Sequence, residues 1–337
     1  MPYPSLLSQG GVFTYADRDA INALISGQGI LSQGNVWWVR PTNGNDTNNG
    51  NSPATAFQTL TAALAAATAN QGDVVLLCAE SDTAGSTTSY QSTTLNWNKD
   101  GVHLIGVNAG ALFSCRSRVA FVSTYATASN LFTLSANDCL IQGIEFFAGV
   151  TSANPTGCVL VTGERNVFRK CHIAGIGATT NDIAGAYSLY LNGAQECVFD
   201  GCVIGLDTVV RTVAANSEIL VAGASPRNIF QNCIILAQIG ATTAHPLVKL
   251  SSATAIQGFL LFDKCTFISE CANYTTNQAS IFVVPALTQG YVMVQNSIAN
   301  LTDNSTAAIW NAGATGRLTV ANIPVPIGNT SGSGKMM

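Results

Sequence analysis

Acid–base chemistry has few candidates in this sequence, because 337 residues carry only eighteen Asp and Glu against fourteen Lys and Arg. Glycoside cleavage needs two carboxylates flanking the scissile bond, and clustered carboxylates also bind Ca²⁺. Asp200 and Asp263 occupy equivalent places in a repeated phrase, two repeats apart. In stacked strands that separation is about 10 Å, marginally wide even for an inverting pair. Arg169 falls in the repeat just before Asp200, which favours an ion pair between neighbouring strands. Arg165, Glu196 and Arg227 alternate in sign at steps of 31 residues, the pattern of a surface charge ladder. Asp207 and Arg211, with Glu218 nearby, lie in a loop-like segment, where acids ordinarily serve solubility. Asn43, Asn45, Asp46, Asn48 and Asn49 could offer oxygens to Ca²⁺, but turn formation accounts for them more simply. His103, His172 and His245 stand far apart, no C-x-x-C pair occurs, and His172 has no Ser or Asp partner in view. No catalytic, cofactor-binding or metal-binding residue is assigned.

The residues that recur do so in one phrase. Its copies are 139–146, 166–173, 197–204, 228–235, 260–267 and 292–299, with starts spaced 27, 31, 31, 32 and 32 residues apart. The third column (Ile141, Phe168, Phe199, Phe230, Phe262, Val294) is large and apolar. Cys171, Cys202, Cys233 and Cys265 recur in a later column, followed two residues on by Ile173, Ile204, Ile235 and Phe267. Period-two spacing places those last two columns on one strand face. The three-residue step before them breaks the alternation, so a corner lies between, at Gly143, Lys170, Gly201, Asn232, Lys264 or Asn296. Gly and Asn accept left-handed backbone angles most readily, and the two lysines depart from that preference. Stacked thiols at equivalent positions lie about 5 Å apart, a poor fit to disulfide geometry, so the ten cysteines are expected to be free packing residues.

A further strand precedes each phrase, as at 159–161, 189–191 and 219–221, so each repeat supplies three strands and one long excursion. The expected fold is all-β: a right-handed single-stranded parallel β-helix with a short N-terminal capping helix, whose stacked rungs pair each other's backbones. Residues 1–37 are expected to be an arm, 38–71 an opening loop and capping helix, 72–325 the β-helix, and 326–337 a tail. The Ala-rich stretch 55–69 should form the cap, and 307–323 a last irregular rung.

One column breaks the polar-outside rule. Leu140, Val167, Val198, Ile229, Leu261 and Met293 each precede the third column, and two adjacent columns of a regular strand cannot both face inward. Whichever of the two faces out, an apolar stripe runs along the column. A twisted strand that tucks both columns partly inside, or a loop lying over the stripe, would account for it structurally, and a subunit interface is the functional expectation.

Hydrophobic residues make up 47% of the chain and charged residues only 9%, a surface poorly suited to a free monomer. No apolar run is long enough to cross a membrane as a helix, and the N-terminus lacks the basic start and apolar core of a signal peptide. A net charge of −4 without a Lys/Arg cluster argues against nucleic acid as a partner.

Residues 38–53, reading WVRPTNGNDTNNGNSP, then Phe57-Gln58-Thr59-Leu60 and Gly72-Asp73-Val74, resemble the opening of pectin-lyase-like β-helix proteins. That superfamily holds polysaccharide lyases and hydrolases together with bacteriophage tailspikes, fibres and capsid-surface proteins, and the charge-poor chain looks most like the phage members. The resemblance implies a virion structural protein, assembled in the host cytoplasm. It would bind a capsid or tail surface beside other virion proteins such as the major capsid protein, and would itself associate as a trimer. The alternatives it carries are a tailspike-like depolymerase and a non-catalytic adhesin for host surface glycan. The adhesin reading would need Trp37, Trp38, Trp97, Trp310 or tyrosines along a groove.

Overall fold

Every corner expected from the repeat is left-handed in the computed structural model. The backbone φ is +64° at Gly143, +49° at Lys170, +61° at Gly201, +55° at Asn232, +53° at Lys264 and +50° at Asn296. The two lysines adopt the same geometry, so stacking on neighbouring rungs overrides their local preference. A second left-handed corner, which the sequence did not announce, runs through Asp138, Arg165, Glu196, Arg227, Gly258 and Gly290. The structure describes residues 34–80, 88–108, 112–127, 130–152, 156–240, 245–271, 281–301, 310 and 317–322. Most of the expected arm and all of the expected tail fall outside these.

Between corners the chain lays down three parallel sheets. Sheet 1 has ten strands, from Val36–Val39 and Val74–Cys78 through Leu140–Gln142, Val167–Arg169 and Val198–Asp200 to Leu318–Ala321. Sheet 2 has eight, from Thr88–Gln91 to Ile298–Leu301, and sheet 3 has seven, from Leu95–Trp97 to Phe282–Val283. Register follows the repeat: Leu140, Val167, Val198, Ile229, Leu261 and Met293 pair in succession, as do Ile141, Phe168, Phe199, Phe230, Phe262 and Val294. The molecule is an all-β parallel solenoid with one short α-helix among the described residues. The strand Val36–Val39, at the boundary of the expected arm and opening loop, pairs with Val74–Cys78 and begins sheet 1.

The core is built of vertical columns. Phe168, Phe199, Phe230 and Phe262 stack with ring centroids 4.9, 4.6 and 4.7 Å apart and planes within 12° of parallel. Beside them Cys171, Cys202, Cys233 and Cys265 are buried and free. Each thiol donates to a carbonyl one rung below, at Ile141, Phe168, Phe199 and Phe230, over 3.3–3.5 Å. Burial pushes the Cys202 thiol well above the ordinary range, and the neighbouring Cys233 thiol, followed by burial, does the same to Cys265, which keeps both protonated. Asn166 and Asn228 are also fully buried. Their carboxamides accept from the amides of Cys139 and Cys197 and donate to the carbonyls of Ala136 and Ala194, tying rung to rung.

The lower end is closed by α1, Leu60–Ala66, shorter than the Ala-rich stretch suggested. Residues 55–59 are withheld from the helix because Phe57 pairs with Val39 and donates its amide to Trp38. Thr59 caps the helix start, and the Lys99 ammonium bonds the carbonyls of Ala65 and Ala67 at its end. The Gly72-Asp73 motif has a structural reason too. The Asp73 carboxylate is buried and accepts from the Asn35 amide, the Trp37 indole and the Thr68 amide, joining first strand, helix exit and second strand. At the far end Trp310 packs edge-on against Phe267 at 5.9 Å.

Candidate functional site

On sheet 1 the third column points inward, so its neighbour points out. Val167, Val198, Ile229, Leu261 and Met293 are half-buried on the outer face, and Leu140 is covered to 5% exposure. His103 lies beside Leu140, its Nδ1 accepting the Leu140 amide at 3.0 Å. Two polar columns flank the stripe. One is Gln142, Arg169, Asp200, Gln231, Asp263 and Gln295, in register. The other is the exposed corner Asp138, Arg165, Glu196 and Arg227.

Most charges in the flanks are already paired, Asp263 having an amide donor in place of a counter-charge. Arg165 bonds Asp138 and Glu164 at 2.8 Å each, and Arg227 lies 2.6 Å from Glu196. Arg169 reaches Asp200 at 3.5 Å, and the corner amides of Asn232 and Asn296 donate to Asp200 and Asp263 at 3.0 and 2.8 Å. Asp200 and Asp263 remain two rungs apart with Gln231 between them. Neither presents a free carboxylate facing the other, so the ladder reading is the one the geometry supports.

Asp207 is exposed, whereas Arg211 and Glu218 form an ion pair at 2.9 Å with both side chains fully buried. The Arg211 guanidinium also donates to the carbonyls of Gly175, Ile176, Leu206 and Val209. The Ser188 hydroxyl donates to the second Glu218 oxygen, and His245 Nε2 lies 3.3 Å from the first. Burial alone would raise the Glu218 carboxyl, but Arg211, His245 and Ser188 together hold it at about 2. A nucleophilic serine needs a histidine nitrogen on its hydroxyl with the carboxylate behind that ring. Here serine and histidine both address the carboxylate, and the whole cluster is out of reach of solvent. It is a structural tie. Ser188 and Glu218 sit in register on adjacent strands of sheet 3, 30 residues apart, and sequence reasoning separated them from Arg211 and His245 because those two come from other segments.

A second buried cluster, which the sequence did not group, lies on the outer face of sheet 2. Arg118, Glu145 and His172 are consecutive across three strands. The Arg118 Nε sits 3.5 Å from Glu145, and its guanidinium lies 4.1 Å over the Phe147 ring. Glu145 is 4% exposed, and its Oε2 has no hydrogen-bond partner. Burial raises this carboxyl above the usual range, against the pull of Arg118 and Arg116.

The Asn-rich opening loop spends its oxygens on its own backbone. Asp46 accepts from the amides of Gln58 and Thr59 and the Thr59 hydroxyl, Asn45 from Thr47, and Asn49 from Asn51. Glu80 clasps the loop through Arg40, Thr42 and Asn43. Among the described residues no three His, Cys, Asp or Glu converge as metal ligands do. Three of the four tryptophans serve packing: Trp97 is fully buried, Trp37 bonds Asp73 and packs on Phe57, and Trp310 covers the core end, while Trp38 is half-buried on the first strand of sheet 1. The most exposed tyrosines, Tyr90 and Tyr291, lie on different sheets.

No protein-family model and no curated protein matches the sequence. Solved structures do match the three-sheet stack. A pectin methylesterase from Erwinia chrysanthemi aligns at 14% identity and TM-score 0.52, over 88% of this chain and 91% of its own. The fold is that of the pectin-lyase-like parallel β-helices. A pectin methylesterase in complex with a hexasaccharide aligns at 13% identity over 88% of this chain and 91% of its own, with the same TM-score of 0.52. ORF18 of Geobacillus virus E2 aligns at 11% identity over 93% of this chain and 64% of its own, at a TM-score of 0.39. These identities establish the shared β-helix and nothing finer, and the viral match is too distant to carry an argument. Within this fold the most distinctive outward feature of the chain is the apolar stripe between its two neutralised ladders.

Proposed function

We propose that this chain is a bacteriophage virion structural protein. It is a β-helix on a capsid or tail surface that self-associates as a trimer and binds and stabilises the particle without catalysis. The observation that carries the reading is the outer face of sheet 1. Val167, Val198, Ile229, Leu261 and Met293 form an apolar line, half-buried in the single chain. Most charges on both sides already satisfy one another, and Asp263 accepts the Asn296 amide, so another surface can close over the line at a low electrostatic cost. The acids that a hydrolase would use are engaged in ladders and ties. Other virion proteins, the major capsid protein foremost, would take the remaining contacts, and assembly would occur in the host cytoplasm.

One observation favours a polysaccharide-cleaving alternative. Glu145 is a carboxyl raised by burial beside an arginine, the state in which a general acid works. It lies within the folded chain, however, and has no second carboxylate in its cluster. The deciding experiment incubates purified protein with host surface polysaccharide, and separately with methylated pectin, and follows new reducing ends, unsaturated products and released methanol. The structural reading expects none above background. Turnover that Glu145→Gln abolishes would replace it with the enzymatic one.

A further inference from the structure

The outer face of sheet 2 is overlaid by residues 112–117, which bear Leu112 and Phe113, two of the most exposed large apolar side chains in the described structure. Its C-terminal end is anchored at buried Ser117, whose hydroxyl donates to the Leu77 carbonyl at 2.7 Å and whose carbonyl accepts the Glu145 amide at 2.9 Å, and the rest of the segment meets one ring. The Ser114 amide donates to His172 Nδ1 at 3.3 Å, and Phe113 stands edge-on to the same ring at 5.8 Å. The other nitrogen, Nε2, faces the Gly205 carbonyl at 3.1 Å, which can only accept. With an amide donor on one side and a carbonyl on the other, the ring is the neutral Nε2–H tautomer. Next to it Cys115 is buried, with its thiol 3.8 Å from the Lys170 carbonyl. Beneath lie Glu145 Oε2 and Arg118 Nε, both buried and without hydrogen-bond partners.

We propose that residues 112–116, hinged at the anchored Ser117, are a strap latched onto His172 and released when that ring takes up a proton. A proton on Nδ1 turns the acceptor into a donor facing the Ser114 N–H, so the latch bond is lost and two donors oppose each other. The Ser114 backbone itself favours release once that bond is lost, since its φ of +52° is disfavoured for a serine. Release also lets water reach the unpartnered Glu145 and Arg118 atoms, which favours the open state.

The charged surroundings come from three sides. Arg118 and Glu145 lie on the preceding strands of the same sheet, Asp207 follows on the next rung, and Cys115 and Arg116 belong to the strap. Burial lowers the basicity of His172 first and Arg118 lowers it further, against the Gly205 carbonyl and Asp207. The closed strap therefore binds the proton less well than the open one. Closure is full above about pH 6.5 and weakens as pH falls below it.

Cys115 reports the latch, and 4,4′-dithiodipyridine is the probe because protonation of its pyridine nitrogens activates the disulfide, so the small thiolate fraction still reacts in acid. Labelling is followed at about pH 5 and about pH 7.5 by peptide mass spectrometry, normalised to the half-buried Cys78 on sheet 1. In the unaltered protein Cys115 should label at least about tenfold faster at the lower pH. His172→Asn supplies a carboxamide oxygen that accepts the Ser114 amide without titrating, and should remove that dependence. A pH-independent wild type, or an Asn variant that responds equally, overturns the proposal. Hydrogen exchange on the unaltered protein covers the case of an unfolded variant. Corrected for intrinsic rate, exchange across 112–116 should rise at low pH while Val198–Asp200 stays protected; joint opening of both segments would refute a local latch.

Discussion

Glu218 is held by a guanidinium, an imidazole and a hydroxyl inside the protein, so its charge is tolerable only while those partners stay. Glu218→Gln leaves the Arg211 guanidinium buried without its counter-charge, and should lower unfolding free energy by about 3–5 kcal/mol near neutral pH. The pH dependence has a definite sign. The folded-state value of about 2 lies below the ordinary 4.5, so the contribution is present above 4.5 and is lost as pH falls toward 2. Urea titrations across that window should show a steep acid limb in the wild type and a flatter one in the variant; parallel curves would deny Glu218 this role. The corner makes a second test at this scale. Asn232 sits at φ +55°. Asn232→Val should cost about 1–2 kcal/mol, and Asn232→Gly much less, losing only the exposed bond to Asp200. Equal urea midpoints for the two variants would contradict the backbone argument. Corner positions were legible in the sequence because a three-residue step interrupts a period of two. The Glu218 cluster was not: Ser188 and Glu218 share the sheet 3 register, 30 residues apart, but Arg211 and His245 reach them from other segments with no common spacing.

Among the elements, the columns were the most legible part of the molecule. Each strand contributes one inward residue per column, so Phe168, Phe199, Phe230 and Phe262 disclose both register and stacking from their 31- and 32-residue steps. The cysteine column makes a chemical prediction of the same kind. Nine described cysteines are free, and those in the column donate to carbonyls one rung below. Titration of denatured, unreduced protein with a thiol reagent should find close to the ten thiols of the sequence; four or fewer would show that disulfides form after all. Elements at the lower end were harder to read. The strand Val36–Val39 lies outside the repeat, and its place in sheet 1 depends on the Asp73 carboxylate, a contact across 36 and 38 residues. The helix is shorter than its alanines suggest because Phe57 is drawn into pairing with Val39, a tertiary demand that local propensity does not register.

For the whole molecule the question is what lies against sheet 1. If the stripe is a subunit interface, Ile229→Asp places a carboxylate where the partner excludes water, at a cost of several kcal/mol per site. The single chain should tolerate it, since Ile229 points outward and is only half-buried. The variant should therefore keep its β-rich circular dichroism while its assembly dissociates. Loss of folded signal would instead place Ile229 in the core. The stripe itself was legible as a break in polar alternation, whereas the neutralised ladders beside it needed coordinates, because pairing of Arg169 with Asp200 depends on rung register. The central claim, that this column works as a self-associated structural element, is tested most directly by the solution mass of the unaltered protein at micromolar concentration. Sedimentation equilibrium should return three times the mass of the 337-residue chain, and a monomer that persists across the concentration range would contradict the account.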